Sequence, residues 1–339
     1  MELGTHSAQA ALDAVMRWLT NIPKLLGRVS APPVGTPVLR GGPLRFCQGV
    51  ALVWLTSHVL AKFRVLPDPI LRGIFAVHVA GGMAVSDIAV RTAKVLRFFG
   101  IVPKRVFPGL CAVIMTVCVK WSKFASPHIT TRVMQGSLPS FAHMQTPNAV
   151  LVNHASFMDT ILFLWMVNAT YMYRMKTFYK AQLNKMPLLG YVVQSAEMLP
   201  VYFVSDEGSE FRVEKDKQAA VLERTKRHLG EGGSVCFFPE GAINRVDLRQ
   251  LQSFRLGSFK MILEHKLNVY YMLTIGTDKV WRVKEALGGH AADVYVYYGK
   301  IDIDYSDVTL DAQTLANYCR EQMQVRLDLM HAQLAAGHA

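Results

Sequence analysis

Apolar and polar positions change their rhythm twice along the 339-residue chain. In "AALDAVMRWLTNIPKLLGRV", near the start, Ala11, Val15, Trp18 and Leu19 recur at helical spacing among Arg17, Lys24 and Arg28. That pattern predicts a short amphipathic helix of the kind that lies in a membrane interface. A Pro/Gly-rich linker, "SAPPVGTPVLRGGP", follows. Three long apolar stretches come next, at 46–60, 73–90 and 106–121. None offers the roughly 20 clean apolar residues of a standard span. Both short or imperfect membrane helices and buried helices of a soluble domain fit them. "FFGIVPKRVFPGLCAVIMTVCVKW" predicts a helical hairpin or re-entrant pair kinked at Pro103 and Pro108.

From about residue 136 short strand-like runs alternate with helical ones. "NAVLVNH" (148–154), "SAEMLPVYF" (195–203), "SVCFF" (234–238), "NVYYMLTI" (268–275) and "DVYVYYGKIDI" (293–303) read as strands. "SFMDTILFLWMVNATYMY" and "FRVEKDKQAAVLERTKRHLGEGG" read as helices, the second with a glycine stop. In the last helix Leu315, Cys319, Met323, Leu327, Met330 and Leu334 keep helical periodicity. The alternation predicts an α/β domain, a mixed central sheet flanked by helices, with an N-terminal membrane-associated helical segment. The expected division is a basic, apolar helical membrane-association region at 1–135 and a sheet domain at 136–339.

Charge sharpens the membrane reading. The net charge is +12, and only 18% of residues are charged against 51% apolar. Residues 1–150 hold 16 of the 37 Lys/Arg and only 4 of the 25 Asp/Glu, so the whole excess sits there. Nucleic-acid readers carry such charge on a polar, structured face. Here the basic residues flank apolar runs, as membrane-proximal segments do. The expected partners are therefore membrane lipids and no nucleic acid; the sequence names no protein partner. Five cysteines without a C-x-x-C pair read as reduced thiols, and the first 30 residues lack the pattern of a cleavable signal peptide.

The chemistry is densest in "VNHASFMDT" (152–160). Two residues five apart in an ideal helix point about 140° away from each other. His154 and Asp159 meet only if the histidine stands in the loop before a helix and the aspartate in its first turn. Asp159 then fixes the imidazole, and the other ring nitrogen is open to take a proton from a substrate hydroxyl. Ser156 suits the helix cap. By itself the stretch also fits ordinary helix-start chemistry. "VCFFPEGAINR" (235–245) sets Glu240 and Gly241 just past a strand's carboxyl end, where α/β sheets place their sites; Glu240 either does chemistry or anchors loops. In "SFRLGSFKMILEH" (253–265), Arg255 and Lys260 lie at the beginning of a helix, where they either hold a phosphate or form a solvated basic face. Lys180 and Lys185, in "YKAQLNKMPLLGYVV", are either anion contacts or surface charge. No G-x-S-x-G elbow and no metal-ligand spacing of histidines occurs.

Together, "NHASFMD", "KAQLNKMPLLG", "FPEG", "SFRLGSF" and "VYVYYGKIDI" resemble, in order, the motif blocks of the glycerolipid acyltransferase superfamily. The resemblance spans roughly 136–335. It implies an O-acyltransferase of phospholipid biosynthesis that moves a fatty acyl group from acyl-CoA to the free hydroxyl of lysophosphatidate. The alternatives it carries are lysophospholipid remodelling, transacylation, or a catalytically silent lipid-binding protein. It implies His154 as general base, Asp159 as its orienting partner, and Asn153, Ser156, Glu240 and Gly241 around the substrate. Acyl-CoA is a co-substrate and no cofactor is required. An internal membrane, the endoplasmic reticulum in a eukaryote, is the implied location. The chain departs from the family pattern at "LPVYFVSD", which lacks an arginine after the strand, and at "AINR", which replaces a Thr-Arg pair. Arg212 and Arg245 are the nearest replacements, with Arg255 in a position usually held by lysine.

Overall fold

The computed structural model describes residues 42–203 and 213–337. The predicted helix near the N-terminus, most of the Pro/Gly linker and Arg212 lie outside those residues. The chain divides into two units, Met1–Pro67 and Asp68–Ala339. In the first, helix α1 (Gly42–Lys62) carries the first apolar stretch, with Val50, Val53 and Leu55 exposed.

The second unit opens with α2 (Asp68–Phe98) and α3 (Phe107–Ala125), both long and apolar enough to cross a membrane by length and composition. The expected kinks are absent. Pro103 lies in the connection between the helices, and Pro108 sits in the first turn of α3, where its missing N–H has no helical partner to lose. Segment 98–121 is thus the end of one helix, a connection and most of the next. The two helices cross closely at Gly82, where a Cβ would come 2.6 Å from the Cys118 carbonyl oxygen. One face of the pair is core, including Phe75, Val79, Cys111 and Met115; the other leaves Val77, Val85, Ile88, Val117 and Phe124 exposed.

Seven strands follow: β1 (Ile129–Val133), β2 (Asn148–Val152), β3 (Met175–Lys180), β4 (Leu199–Val201), β5 (Ser234–Phe237), β6 (Asn268–Ile275) and β7 (Ala292–Ile301). Their order is β1-β7-β6-β2-β5-β3-β4, with all neighbours parallel except β6 and β7. The mixed sheet is as expected, but it begins before residue 136, because β1 is its edge. Neither β1 nor β3 is announced by the sequence. "ITTRV" and "MKTFYK" are half-exposed and short, so they lack a buried apolar run.

Strand β2, buried along its whole length, is covered on both faces, as central parallel strands are. Val150, Val152, Tyr270, Met272, Val294 and Val296 point to the face covered by α2, α3 and α4 (Met158–Met166). Their neighbours Ala149, Leu151, Val269, Tyr271 and Leu273 point to the opposite face. That face is covered by α7 (Lys215–Gly230), α8 (Leu256–His265) and α10 (Ala312–Ala335). Period-two side-chain alternation therefore sorts one sheet between two cores. Leu315, Cys319, Met323, Leu327 and Met330 of α10 are all buried, as the periodicity predicts. The helix expected over 156–173 breaks in two. Val167 is extended, and a short turn of helix, α5 (Ala169–Met172), restarts after Asn168. Two further short helices complete the unit, α6 (Gly190–Ser195) and α9 (Thr277–Val280).

Candidate active site

Three parallel strands end at one place. β2 runs out at Val152, β5 at Phe237 and β6 at Ile275, and the loops beyond them carry the site. The chain leaves β2 through Asn153, which is 4% exposed. Its Nδ2 donates to the Thr274 carbonyl at 3.0 Å, and its Oδ1 accepts from the Thr274 N–H at 2.8 Å. Asn153 thus pairs with β6 as if it were one more strand residue, and it fixes where His154 begins.

His154 stands in the loop, and Asp159 lies in the first turn of α4. Asp159 is completely buried and His154 is 15% exposed by side chain. His154 Nδ1 lies 3.1 Å from Asp159 Oδ2. The same oxygen accepts the Ala155 and Ser156 N–H groups, each at 2.7 Å, and Oδ1 accepts from Thr274 Oγ1 at 3.2 Å. An ionised carboxylate only accepts, so the proton on the facing imidazole nitrogen belongs to Nδ1. Nε2 then carries the lone pair, and it makes no hydrogen bond among the described residues. The ring lies flat on Phe238, with centroids 4.0 Å apart and planes 17° apart. That stack limits ring rotation about the Asp159 bond.

Ser156 lies just before the assigned start of α4. Its Oγ accepts from the Met158 N–H at 3.1 Å and donates to the Trp281 carbonyl at 2.6 Å. It therefore caps the turn and ties it to α9, while Trp281 packs edge-on against Phe75 of α2. The long apolar helix and the histidine loop share this aromatic support.

Glu240 is an anchor. It is 2% exposed, its Oε1 accepts the His154 N–H at 2.9 Å and its Oε2 the Gln252 N–H at 3.0 Å. Burial lifts its carboxyl above the ordinary range, and the two N–H bonds pull the other way. The sign of the linkage follows. A folded-state value above the unfolded one means the folded protein keeps a proton the unfolded chain has released. Stability from this group is greatest below the ordinary carboxyl range and falls as pH rises through the lifted value. Glu240→Gln removes that slope, so the stability of wild type relative to the variant declines over this window in pH-dependent denaturant melts. The amide oxygen also leaves one of the two N–H groups facing its own NH₂, and kcat falls by about tenfold.

Gly241 takes a φ of 76°, and a Cβ there would meet Arg255 Cγ at 3.0 Å. The glycine lets the turn form and lets the Arg255 side chain lie across it. Arg255 precedes α8 and its N–H donates to the Pro239 carbonyl at 2.8 Å. Arg245, Lys180 and Lys185 are exposed.

The sequence reading passed over Asn244, Thr274 and Phe238 as site residues. Asn244 is 5% exposed; its N–H donates to the His154 carbonyl at 2.7 Å and its side chain binds the Asp247 and Gln250 carbonyls. An asparagine just after a glycine turn is a signal for such a side-chain-to-backbone turn. Thr274 has no comparable local signal, because it meets Asp159 only across strands.

Residues 136–275 match the family model described as Acyltransferase. Among solved structures, the chain is similar to a 1-acyl-sn-glycerophosphate (LPA) acyltransferase, PlsC, from Thermotoga maritima. The TM-score is 0.54 at 15% identity, over 80% of this chain and 98% of that one. No curated protein matches the chain. The segment 136–275 thus carries the Acyltransferase family pattern, on a fold similar to that of a solved 1-acyl-sn-glycerophosphate acyltransferase.

Proposed function

We propose that the protein transfers a fatty acyl group from acyl-CoA to the free hydroxyl of lysophosphatidate, with His154 as general base. The observation that carries this is the His154–Asp159 pair, buried on the aspartate side and open at Nε2. The acceptor hydroxyl oxygen attacks the thioester carbonyl carbon while its proton passes to Nε2. The Asp159 carboxylate stabilises the imidazolium that forms. As the tetrahedral intermediate collapses, the carbon–sulfur bond breaks and the thiolate takes the proton back. No acyl-enzyme is formed, so one histidine serves as base and then as acid.

Apolar substrate and apolar surface agree. The exposed faces of α2 and α3 and the basic excess before residue 150 suit an anionic membrane, where both substrates dissolve their chains. Asn153, Ser156, Glu240 and Gly241 shape the loops around the acceptor, and Arg255 contacts its phosphate.

The test is a membrane-fraction assay with labelled acyl-CoA and a panel of lysolipids. Lysophosphatidate is expected to give the highest kcat/KM. Equal or better use of lysophosphatidylcholine would move the reading to phospholipid remodelling, and label transfer from a phospholipid without acyl-CoA would make it a transacylase.

A further inference from the structure

We infer that Arg320, on the C-terminal helix α10, is a second phosphate-binding residue that, together with Arg255, selects a phosphate-bearing acceptor. The inference rests on the acyl-transfer reading above and adds a residue that no motif block contains.

A cavity of about 490 Å³ lies beside the 244–253 loop. Asn244, Leu251 and Ser253 line it, and so do two arginines, Arg255 from the start of α8 and Arg320 from α10. Arg245, the replacement nearest in sequence, does not line it.

The surroundings of Arg320 suit an anionic ligand. The residue is half-buried, and its only hydrogen bond among the described residues is a long one, Nη1 to the Leu251 carbonyl at 3.5 Å. No carboxylate among those residues pairs with it. A guanidinium carries five N–H donors and cannot release its charge. The two carboxylates in the cavity wall are already engaged. Both Glu240 oxygens accept backbone N–H groups, and Asp247 Oδ1 accepts the Arg249 N–H.

The cavity is also in the right place. Glu240, Asn244 and Leu251 line both it and the small cavity that holds His154. An anion here is one wall away from the base. In lysophosphatidate the free hydroxyl and the phosphate are a few bonds apart. In acyl-CoA a whole pantetheine arm separates the thioester from the nearest phosphate. The short reach selects the acceptor's phosphate over the donor's.

The motif-bearing loop is held onto α10 by Gln324, whose Oε1 accepts the Leu251 N–H at 2.8 Å and whose Nε2 donates to the Arg249 carbonyl at 2.8 Å. Arg320 lies one helical turn away and is thereby set against the loop.

The experiment compares Arg320→Ala, Arg320→Lys and Arg320→Gln with wild type in full-length protein. Arg320→Ala is expected to raise KM for lysophosphatidate by about 10- to 100-fold, the range for losing a charge-assisted hydrogen-bonded contact. KM for acyl-CoA and the rate with monoacylglycerol, which lacks a phosphate, stay within about threefold, and Arg320→Lys recovers part of the loss. Affinity for short-chain lysophosphatidate, titrated on a His154→Ala background with and without Arg320→Ala, should fall by the same factor. That arm needs no turnover, so it stands even if the assigned base is wrong. Arg320→Gln keeps most of the stem and is read instead if the alanine variant does not fold. Unchanged lysophosphatidate KM and affinity would overturn the inference, and so would a loss confined to acyl-CoA.

Discussion

Replacing His154 with alanine is expected to lower kcat for acyl transfer by at least about 100-fold, the lower end of what a positioned general base contributes. KM for both substrates should stay within about threefold, because the histidine side chain acts on the proton and not on the phosphate or the acyl chain. Folding should survive. The ring is partly exposed, and its removal orphans only one hydrogen bond of a carboxylate that keeps three others. Purified variant and wild type are compared by initial rates with labelled acyl-CoA, alongside thermal melts. A variant retaining more than a tenth of wild-type kcat would remove His154 from the mechanism.

Asp159 gives the second large effect, and two substitutions separate its charge from its geometry. In Asp159→Asn the amide oxygen takes the place of Oδ2 and accepts the same three N–H groups. The NH₂ then faces Thr274 Oγ1, which turns its proton to Asn153 Oδ1, 3.2 Å away, and accepts instead. The loop is kept, while the negative charge that stabilises the imidazolium is lost. We expect kcat to fall by roughly 10²- to 10⁴-fold with little change in Tm. In Asp159→Ala the Ala155 and Ser156 N–H groups lose their acceptor in a fully buried site, each at a cost of about 1–3 kcal/mol. That variant should lose activity and also unfold several degrees earlier. Equal Tm losses in the two variants would contradict the Thr274 rearrangement, and full activity in Asp159→Asn would show that the charge is dispensable.

The histidine–aspartate pair shows what a sequence can say about a site. Five positions apart is a poor helical spacing, so a contact required a loop-to-helix junction, and the apolar run after Asp159 marked where the helix starts. The structure places the junction there, with Asp159 in the first turn. Glu240 was legible as a residue past a strand's end, although its two roles stayed open until its hydrogen bonds to His154 and Gln252 showed it to be an anchor. The arginines were least legible. Arg245 stands beside the third motif yet does not line the cavity, whereas Arg320 lines it from some 80 residues downstream.

The hairpin of α2 and α3 carries the same lesson. Composition and charge identified apolar, basic-flanked segments before residue 135 and favoured membrane helices over buried ones. In the structure each helix has one face in the core and another exposed. A single helix pattern records how apolar a segment is, whereas the choice of which face is covered is made by Phe75, Trp281 and Gly82 in contact with distant residues.

By itself the sequence determined the quantities set by local periodicity and short-range spacing. These are the alternation of strands and helices, the buried stripe of α10, the charge asymmetry, and the junction that lets His154 meet Asp159. Tertiary structure alone decided the edge strand β1, the pairing of Asn153 with Thr274, the anchoring by Asn244, and the convergence of Arg255 and Arg320 on one cavity. Those contacts join residues far apart in the chain. Their partners are selected by strand order and helix packing, which no local window of residues encodes.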